Sequence, residues 1–149
     1  MSELLIFEMA HWQATHRRDA RFPGYLILSA KEQAADLPAL SMAALQELGA
    51  ALARAETILQ RAYEPYKVVF YKLGFTSGLN CHFHVAPITQ SLLDEIIADP
   101  GYAIEPDGND AILFLSRVYC ERPLTAQERE VMQSTVQRLR AIADIESVA

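Results

Sequence analysis

The stretch Leu79-Asn80-Cys81-His82-Phe83-His84-Val85-Ala86-Pro87 decides how the rest of the chain is read. Polar and apolar residues alternate in it with a period of two, the pattern of a strand with one face in a core. His82 and His84 then point to the same face, and Asn80 joins them. Cys81, Phe83 and Val85 occupy the other face and pack inward. Pro87 has no N–H to give a sheet ladder, so pairing is expected to stop near it. The approach, Gly74-Phe75-Thr76-Ser77-Gly78, is rich in glycine and hydroxyls. Such a loop brings backbone N–H groups and the Thr76 and Ser77 hydroxyls close to a phosphate.

Working outward, Tyr66 to Leu73 is β-branched and aromatic and reads as a strand. Joined to the His strand by a short loop, it is expected to pair antiparallel and to set that loop beside His82. Upstream lies the strongest helix. Ser41 is its N-cap, and Leu45, Leu48, Leu52, Ala55, Leu59 and Ala62 form an apolar stripe that ends at Pro65. Tyr25 to Ser29 is a short aliphatic and aromatic run, read as a central strand covered on both faces. Residues 3–9 read as a first strand, and His11 to His16 as a short strand or turn. Downstream, Gln90 to Asp99 is helical with Leu92, Leu93, Ile96 and Ile97 on one side. Tyr102 to Asp110 is a loop with a turn at Pro106-Asp107-Gly108-Asn109. Ala111 to Tyr119 reads as another strand. Thr125 and Glu128 form a capping box for a helix that runs to about Ala143 through Met132, Val136, Leu139 and Ile142. No regular βαβ rhythm is present. The expected fold class is α+β: an antiparallel sheet of about five strands, a long helix and a C-terminal helix, in one domain over residues 1–149.

Composition narrows the function. The net charge of −6 argues against broad binding of nucleic acid or of an anionic membrane, both of which need a basic face. His16, Arg17, Arg18 and Arg21 make one small basic cluster, which reads as a solvated turn or as a site for the distal part of a polyphosphate. Two isolated cysteines, Cys81 and Cys120, give no disulfide framework, and a reducing compartment follows. The first residues lack the basic start and apolar run of a signal peptide, and no apolar stretch reaches membrane length. A cytoplasmic protein is expected.

Two histidines on one strand face admit several readings. They can be surface residues, or polar groups satisfied in a core. They also suit zinc, but no Asp, Glu or second Cys stands at ligand spacing, so no metal is expected. The third reading is nucleophilic catalysis. An imidazole with its ordinary pKa of about 6.5 is mostly neutral at pH 7. One nitrogen attacks phosphorus if a neighbour holds the proton on the other. Lys72, Thr76, Ser77 and the loop amides are near in sequence to receive the developing charge. Trp12 is a core residue or a platform for a base, and Glu8, Asp19 and Asp36 are candidates for ribose hydroxyls.

Asn80-Cys81-His82-Phe83-His84-Val85-Ala86-Pro87 resembles the signature of the histidine triad (HIT) family, His-φ-His-φ-His-φ-φ with φ hydrophobic. Gly24 to Lys31 followed by Ala35-Asp36-Leu37 is similar to that family's strand and turn before its long helix. The resemblance covers roughly residues 5–100. The stretch from His11 to Tyr25, with the Cys-His-Phe-His run, is similar to a bacterial subgroup labelled diadenosine tetraphosphate hydrolase-like. The resemblance implies a HIT-like fold, commonly homodimeric with sheets side by side. It also implies a purine nucleotide or nucleotide conjugate as ligand. The reaction would be hydrolysis or transfer at the α-phosphate through a nucleotidyl-histidine, with no cofactor. By this match the nucleophile is His82, the third triad position is His84, and the first falls on Asn80. Asn80 can orient His82 or a phosphate by hydrogen bonding but cannot titrate near pH 7. Ser77 matches a position that contacts phosphate, with Thr76 and Lys72 beside it. Gln33 falls near a position where relatives often carry His. The alternative reading is a nucleotide-binding HIT-like protein with little or no catalytic activity, because the first His is Asn80.

Overall fold

A computed structural model describes residues 2–102 and 104–148. Five strands form one antiparallel sheet in the order β1-β2-β3-β5-β4: β1 Leu5–Glu8, β2 Trp12–His16, β3 Leu26–Ala30, β4 Lys67–Tyr71 and β5 His82–Ile88. The stretch from His11 resolves as a strand, β2. The helices are α1 Met42–Tyr63, α2 Gln90–Ala98, α3 Gly108–Phe114 and α4 Ala126–Val148. The α+β architecture with a long helix and a C-terminal helix is therefore as the sequence suggests.

Alternation along the strands sorts the sheet into two faces. Trp12, Ala14, Leu26, Leu28, Ala30, Val68 and Val85 are buried on one face under α1 and α4. Burying this much apolar surface is the main stabilising term of the fold. Trp12 lies at the centre with no exposure, and its indole N–H donates to the Ala44 carbonyl at 2.8 Å. The α1 stripe sits slightly off the expected line. Ala44, Ala51, Ala55, Ile58, Leu59 and Ala62 are buried, while Leu45, Leu48 and Leu52 pack at its margin. Ser41 Oγ accepts from the Ala44 N–H at 3.1 Å, the expected N-cap. Thr125 and Glu128 close a reciprocal capping box that starts α4. Met132, Val136, Leu139 and Ala143 form the inner face of α4, which extends past Ala143 to Val148.

The other face is covered over only part of its area. There Tyr25, Ala86 and Ile88 meet Leu92, Ile96, Ala111, Phe114 and Leu115 of the α2–α3 lobe. Ile97 is exposed and not part of this contact. The strand expected over Ala111–Tyr119 is instead α3 followed by a π-helical turn, Leu115–Tyr119. The physical reason lies just upstream. Asp107 accepts from the Asp110 N–H, and Asp110 accepts from the Asp107 N–H, both at 2.9 Å. What reads as a turn at 106–109 is thus a helix N-terminus. Ala111, Phe114 and Leu115 then bury one helical face, a spacing that a short apolar run does not distinguish from a strand.

Two further expectations change. The strand at Tyr25–Ser29 is central and packed on both faces, as read, except toward its end: Tyr25 is buried under the α2–α3 lobe with Ile27 against it, while Ser29 is half-buried in the uncovered part. The His strand begins at His82, so Asn80 precedes it. Pairing of β5 with β3 stops at Val85, yet pairing with β4 runs through Pro87 to Ile88, because the missing N–H of Pro87 falls on the side with no partner. Among the described residues no helix is long and apolar enough to cross a membrane.

Candidate active site

The uncovered part of the second sheet face forms a cleft of about 710 Å³. Register builds its floor. Gln13, Ser29 and His82 are cross-strand neighbours, and so are Thr15, Ile27, His84 and Tyr71. Arg17, Arg18 and Asp19 form one rim, and Thr76, Gly78 and Leu79 of the β4–β5 loop form another. Gly78 has φ +83°, a left-handed conformation that suits glycine at the loop's end.

His82 is held by its own chain. The Cys81 N–H donates to the Ala34 carbonyl at 2.6 Å, and the Cys81 carbonyl accepts from the Ala30 N–H at 2.9 Å. With the backbone pinned on both sides of Cys81, the Asn80 carbonyl stands 2.9 Å from His82 Nδ1. A carbonyl only accepts, so Nδ1 carries the proton and Nε2 of the neutral ring keeps its lone pair. The Asn80 side chain turns elsewhere: Nδ2 donates to the Ala30 carbonyl at 2.9 Å, tying the loop to the end of β3.

His84 is held by side chains. Its ring stacks on Tyr71, with centroids 4.7 Å apart and planes 9° from parallel. Its Nδ1 lies 2.9 Å from the Tyr25 hydroxyl. Burial, reinforced by the charges of Arg17 and His82, pushes its pKa down to about 4, so His84 is neutral at pH 7. Tyr25 is fully buried. Its hydroxyl accepts from Arg17 Nη1 at 2.9 Å and also meets the Tyr71 hydroxyl. Burial and the Tyr71 neighbour raise its pKa, so the phenol stays protonated. Arg17 is itself held by Asp19 at 2.6 Å and lies 5.0 Å over the Tyr25 ring.

The structure gathers some of the residues suggested by sequence and disperses others. His82, His84, Asn80 and Thr76 line the cleft. Ser77 is exposed on the same loop but outside the lining. Lys72 is paired with Asp36 at 3.1 Å, and Gln33 is exposed in the loop after β3. Of the basic cluster, Arg17 and Arg18 reach the cleft; Arg21 lies over Tyr119 and beside Glu128. Asp19 is at the rim, whereas Glu8 pairs with Lys31. Trp12 and Cys81 belong to the core. His16 is buried on the core face, its Nε2 accepting from the Gly24 N–H at 3.1 Å and its Nδ1–H donating to the Arg17 carbonyl at 3.0 Å. Among the described residues no three His, Cys, Asp or Glu side chains cluster as metal ligands.

Sequence reading missed Tyr25, Tyr71, Gln13 and Ser29. A signal for them existed. Residues 13, 15 and 17 and residues 25, 27 and 29 are odd-numbered runs in step with the His face once the strands are paired. Only the register reveals that step. Chemically, the cleft offers an imidazole whose Nδ1–H is tied back and whose Nε2 is free of that tether, a neutral imidazole, His84, beside it, and the Arg17 and Arg18 guanidinium groups at the rim. That set suits attack on an electrophilic phosphorus.

No protein-family model matches the chain, and no curated protein sequence matches it. Solved structures do share its fold. One is a histidine triad protein from Bradyrhizobium japonicum, with 18% identity, a TM-score of 0.62, and 95% of this chain and 92% of that one covered. Another is a HIT-like protein involved in cell-cycle regulation from Bartonella henselae, with 12% identity, a TM-score of 0.62, and 95% and 88% covered. A uridylyltransferase structure matches with 15% identity and a TM-score of 0.63; 97% of this chain covers 42% of that one. At these identities the likeness is one of fold.

Proposed function

We propose that this HIT-like fold binds a purine nucleotide conjugate in the His82 cleft and acts on its α-phosphate as a hydrolase or nucleotidyl transferase. The observation that carries this is the His82 tether. With Nδ1–H given to the Asn80 carbonyl, the Nε2 lone pair is free on the cleft side. Nε2 forms a bond to phosphorus, and the bond from phosphorus to the leaving group breaks with its electron pair. Water then attacks the nucleotidyl-histidine, its proton passes to solvent, and the N–P bond returns its pair to Nε2. His84 and Asn80 support the nucleophile and the phosphate. Thr76, Ser77, Lys72 and Gln33 belong to the loops on the phosphate side, Lys72 after release from Asp36. The whole chain, 1–149, is read as one such unit, working as a cytoplasmic homodimer without metal or cofactor, and related to the diadenosine tetraphosphate hydrolase-like subgroup.

Asn80 bears on the leaving group. It cannot deliver a proton, so an amine or alkoxide departs poorly, whereas a polyphosphate leaves as a stable anion. This favours dinucleoside polyphosphates over adenylated amines. The same residue supports the second reading, nucleotide binding with little turnover, since its amide is already committed to Ala30.

The deciding experiment is intact-protein mass after brief mixing with adenylyl and guanylyl conjugates, using the parent and His82→Ala. A nucleotidyl adduct on the parent that is missing from the variant supports catalysis. Binding without adduct or product supports the second reading, and undiminished hydrolysis by His82→Ala overturns the first.

A further inference from the structure

The two cleft histidines are tethered at the same ring atom to groups of opposite character. His82 Nδ1 faces a carbonyl, which can only accept. His84 Nδ1 faces a phenol, which can donate. Which way that second bond runs follows from the groups around Tyr25 Oη. Arg17 Nη1, 2.9 Å away, can only donate, so it occupies one lone pair of the phenol oxygen. The phenol's one proton then goes to Tyr71 or to His84.

Relative basicity decides. A neutral imidazole nitrogen is the strongest base in this group, and a phenol oxygen is a weak one. A phenol is also a far stronger acid than a neutral imidazole N–H. An O–H···N bond from Tyr25 to His84 is therefore favoured over an N–H···O bond in the reverse sense. Arg17 strengthens the bias, because a cation donating to the phenol oxygen makes it a better donor and a poorer acceptor. The remaining accounts close. Tyr71 donates to the second lone pair of Tyr25. The Tyr71 stack holds the His84 ring in its plane.

We propose that Tyr25 is a positioning residue: braced by Arg17, it donates to His84 Nδ1 and so fixes His84 as the tautomer whose Nε2–H is a hydrogen-bond donor on the cleft side. The two imidazoles then present opposite atoms to a ligand, a lone pair from His82 and a proton from His84. The role of that proton, donation to a non-bridging phosphoryl oxygen, rests on the function proposed above. The tautomer itself does not.

The test is ¹⁵N–¹H correlation spectroscopy of histidine-labelled protein, with the four histidines assigned by single substitution. The parent should show pyridine-type Nδ1 and pyrrole-type Nε2 for His84, and the reverse for His82. Tyr25→Phe should move the His84 pair toward tautomer-averaged positions while leaving the His82 pair in place, which a general loss of packing would not do. Tyr71→Phe should leave His84 Nδ1 pyridine-type. A pyrrole-type Nδ1 on His84 in the parent overturns the proposal, whether or not Tyr25→Phe folds, and so does an unchanged His84 pair in a folded Tyr25→Phe. Titration with AMP examines the donor role: the His84 Nε2–H signal should shift on binding, and saturation without that shift overturns it. For diadenosine tetraphosphate, Tyr25→Phe should lower kcat about tenfold with little change in KM, the scale of one lost hydrogen bond. If the parent shows the expected tautomers but neither binds AMP nor turns over that substrate, the proposed function fails and the Tyr25 assignment stands.

Discussion

His84 lies flat against Tyr71, 4.7 Å between ring centroids, and this stack keeps water from one whole face of the imidazole. The ring is half-buried at the cleft floor, and burial, with the charges of Arg17 and His82, brings its pKa to about 4.

A pH dependence follows. The unfolded chain binds a proton at His84 near its ordinary value of 6.5, and the folded chain binds it only near 4. As pH falls between those values, protons favour the unfolded state, so stability falls; below about 4 the effect levels off. Buried His16, also lowered by burial, acts in the same direction. Urea midpoints at pH 7 and pH 5 should show a loss in the parent that is smaller in His84→Gln. Equal losses in the two proteins would remove His84 from the account.

Asn80 predicts a second effect. Its amide donates to Ala30, so Asn80→Asp replaces a donor by a carboxylate facing a carbonyl oxygen. The expected cost is about 2 kcal/mol, or a Tm lower by roughly 5 °C. Differential scanning calorimetry at neutral pH measures it. A variant as stable as the parent would mean that the Asn80–Ala30 tie contributes nothing in solution.

Gly24 and Gly78 both adopt positive φ, but only one of them is crowded. A Cβ on Gly24 would stand 2.6 Å from Tyr63 Cε2 and 3.1 Å from Pro87 Cγ, while one on Gly78 would meet nothing within 4 Å. Gly24→Ala should therefore cost about 3 kcal/mol, combining backbone strain with overpacking. Gly78→Ala should cost about 1 kcal/mol, from the backbone alone. Chemical denaturation of both variants checks the order; the reverse order would contradict the packing around Gly24.

Trp12 is the single tryptophan and is wholly buried, so its emission should be blue-shifted and should report unfolding directly. Trp12→Phe leaves a cavity and removes the bond to Ala44. A loss of about 3 kcal/mol is expected from urea unfolding followed by circular dichroism. A red-shifted emission in the native parent would place Trp12 outside the core.

By itself the sequence determined the elements whose signals are local. Period-two alternation around His82 and His84 marked a half-buried strand, Ser41 started the long helix, Thr125 and Glu128 started α4, and the α+β class followed from their order. It also singled out His82 as the candidate nucleophile, because imidazole chemistry and a neighbouring glycine loop are written in consecutive residues. Tertiary structure decided what depends on partners far along the chain. Ala111–Tyr119 became helical because the Asp107–Asp110 capping box and the α2 contact outweigh the β-like composition of the run. Lys72 does not line the cleft, because Asp36, brought near by folding, offers it an ion pair. Tyr25, Tyr71 and Arg17 surround His84 only because antiparallel register aligns three separate strands, and register is a property of paired strands that no single stretch carries.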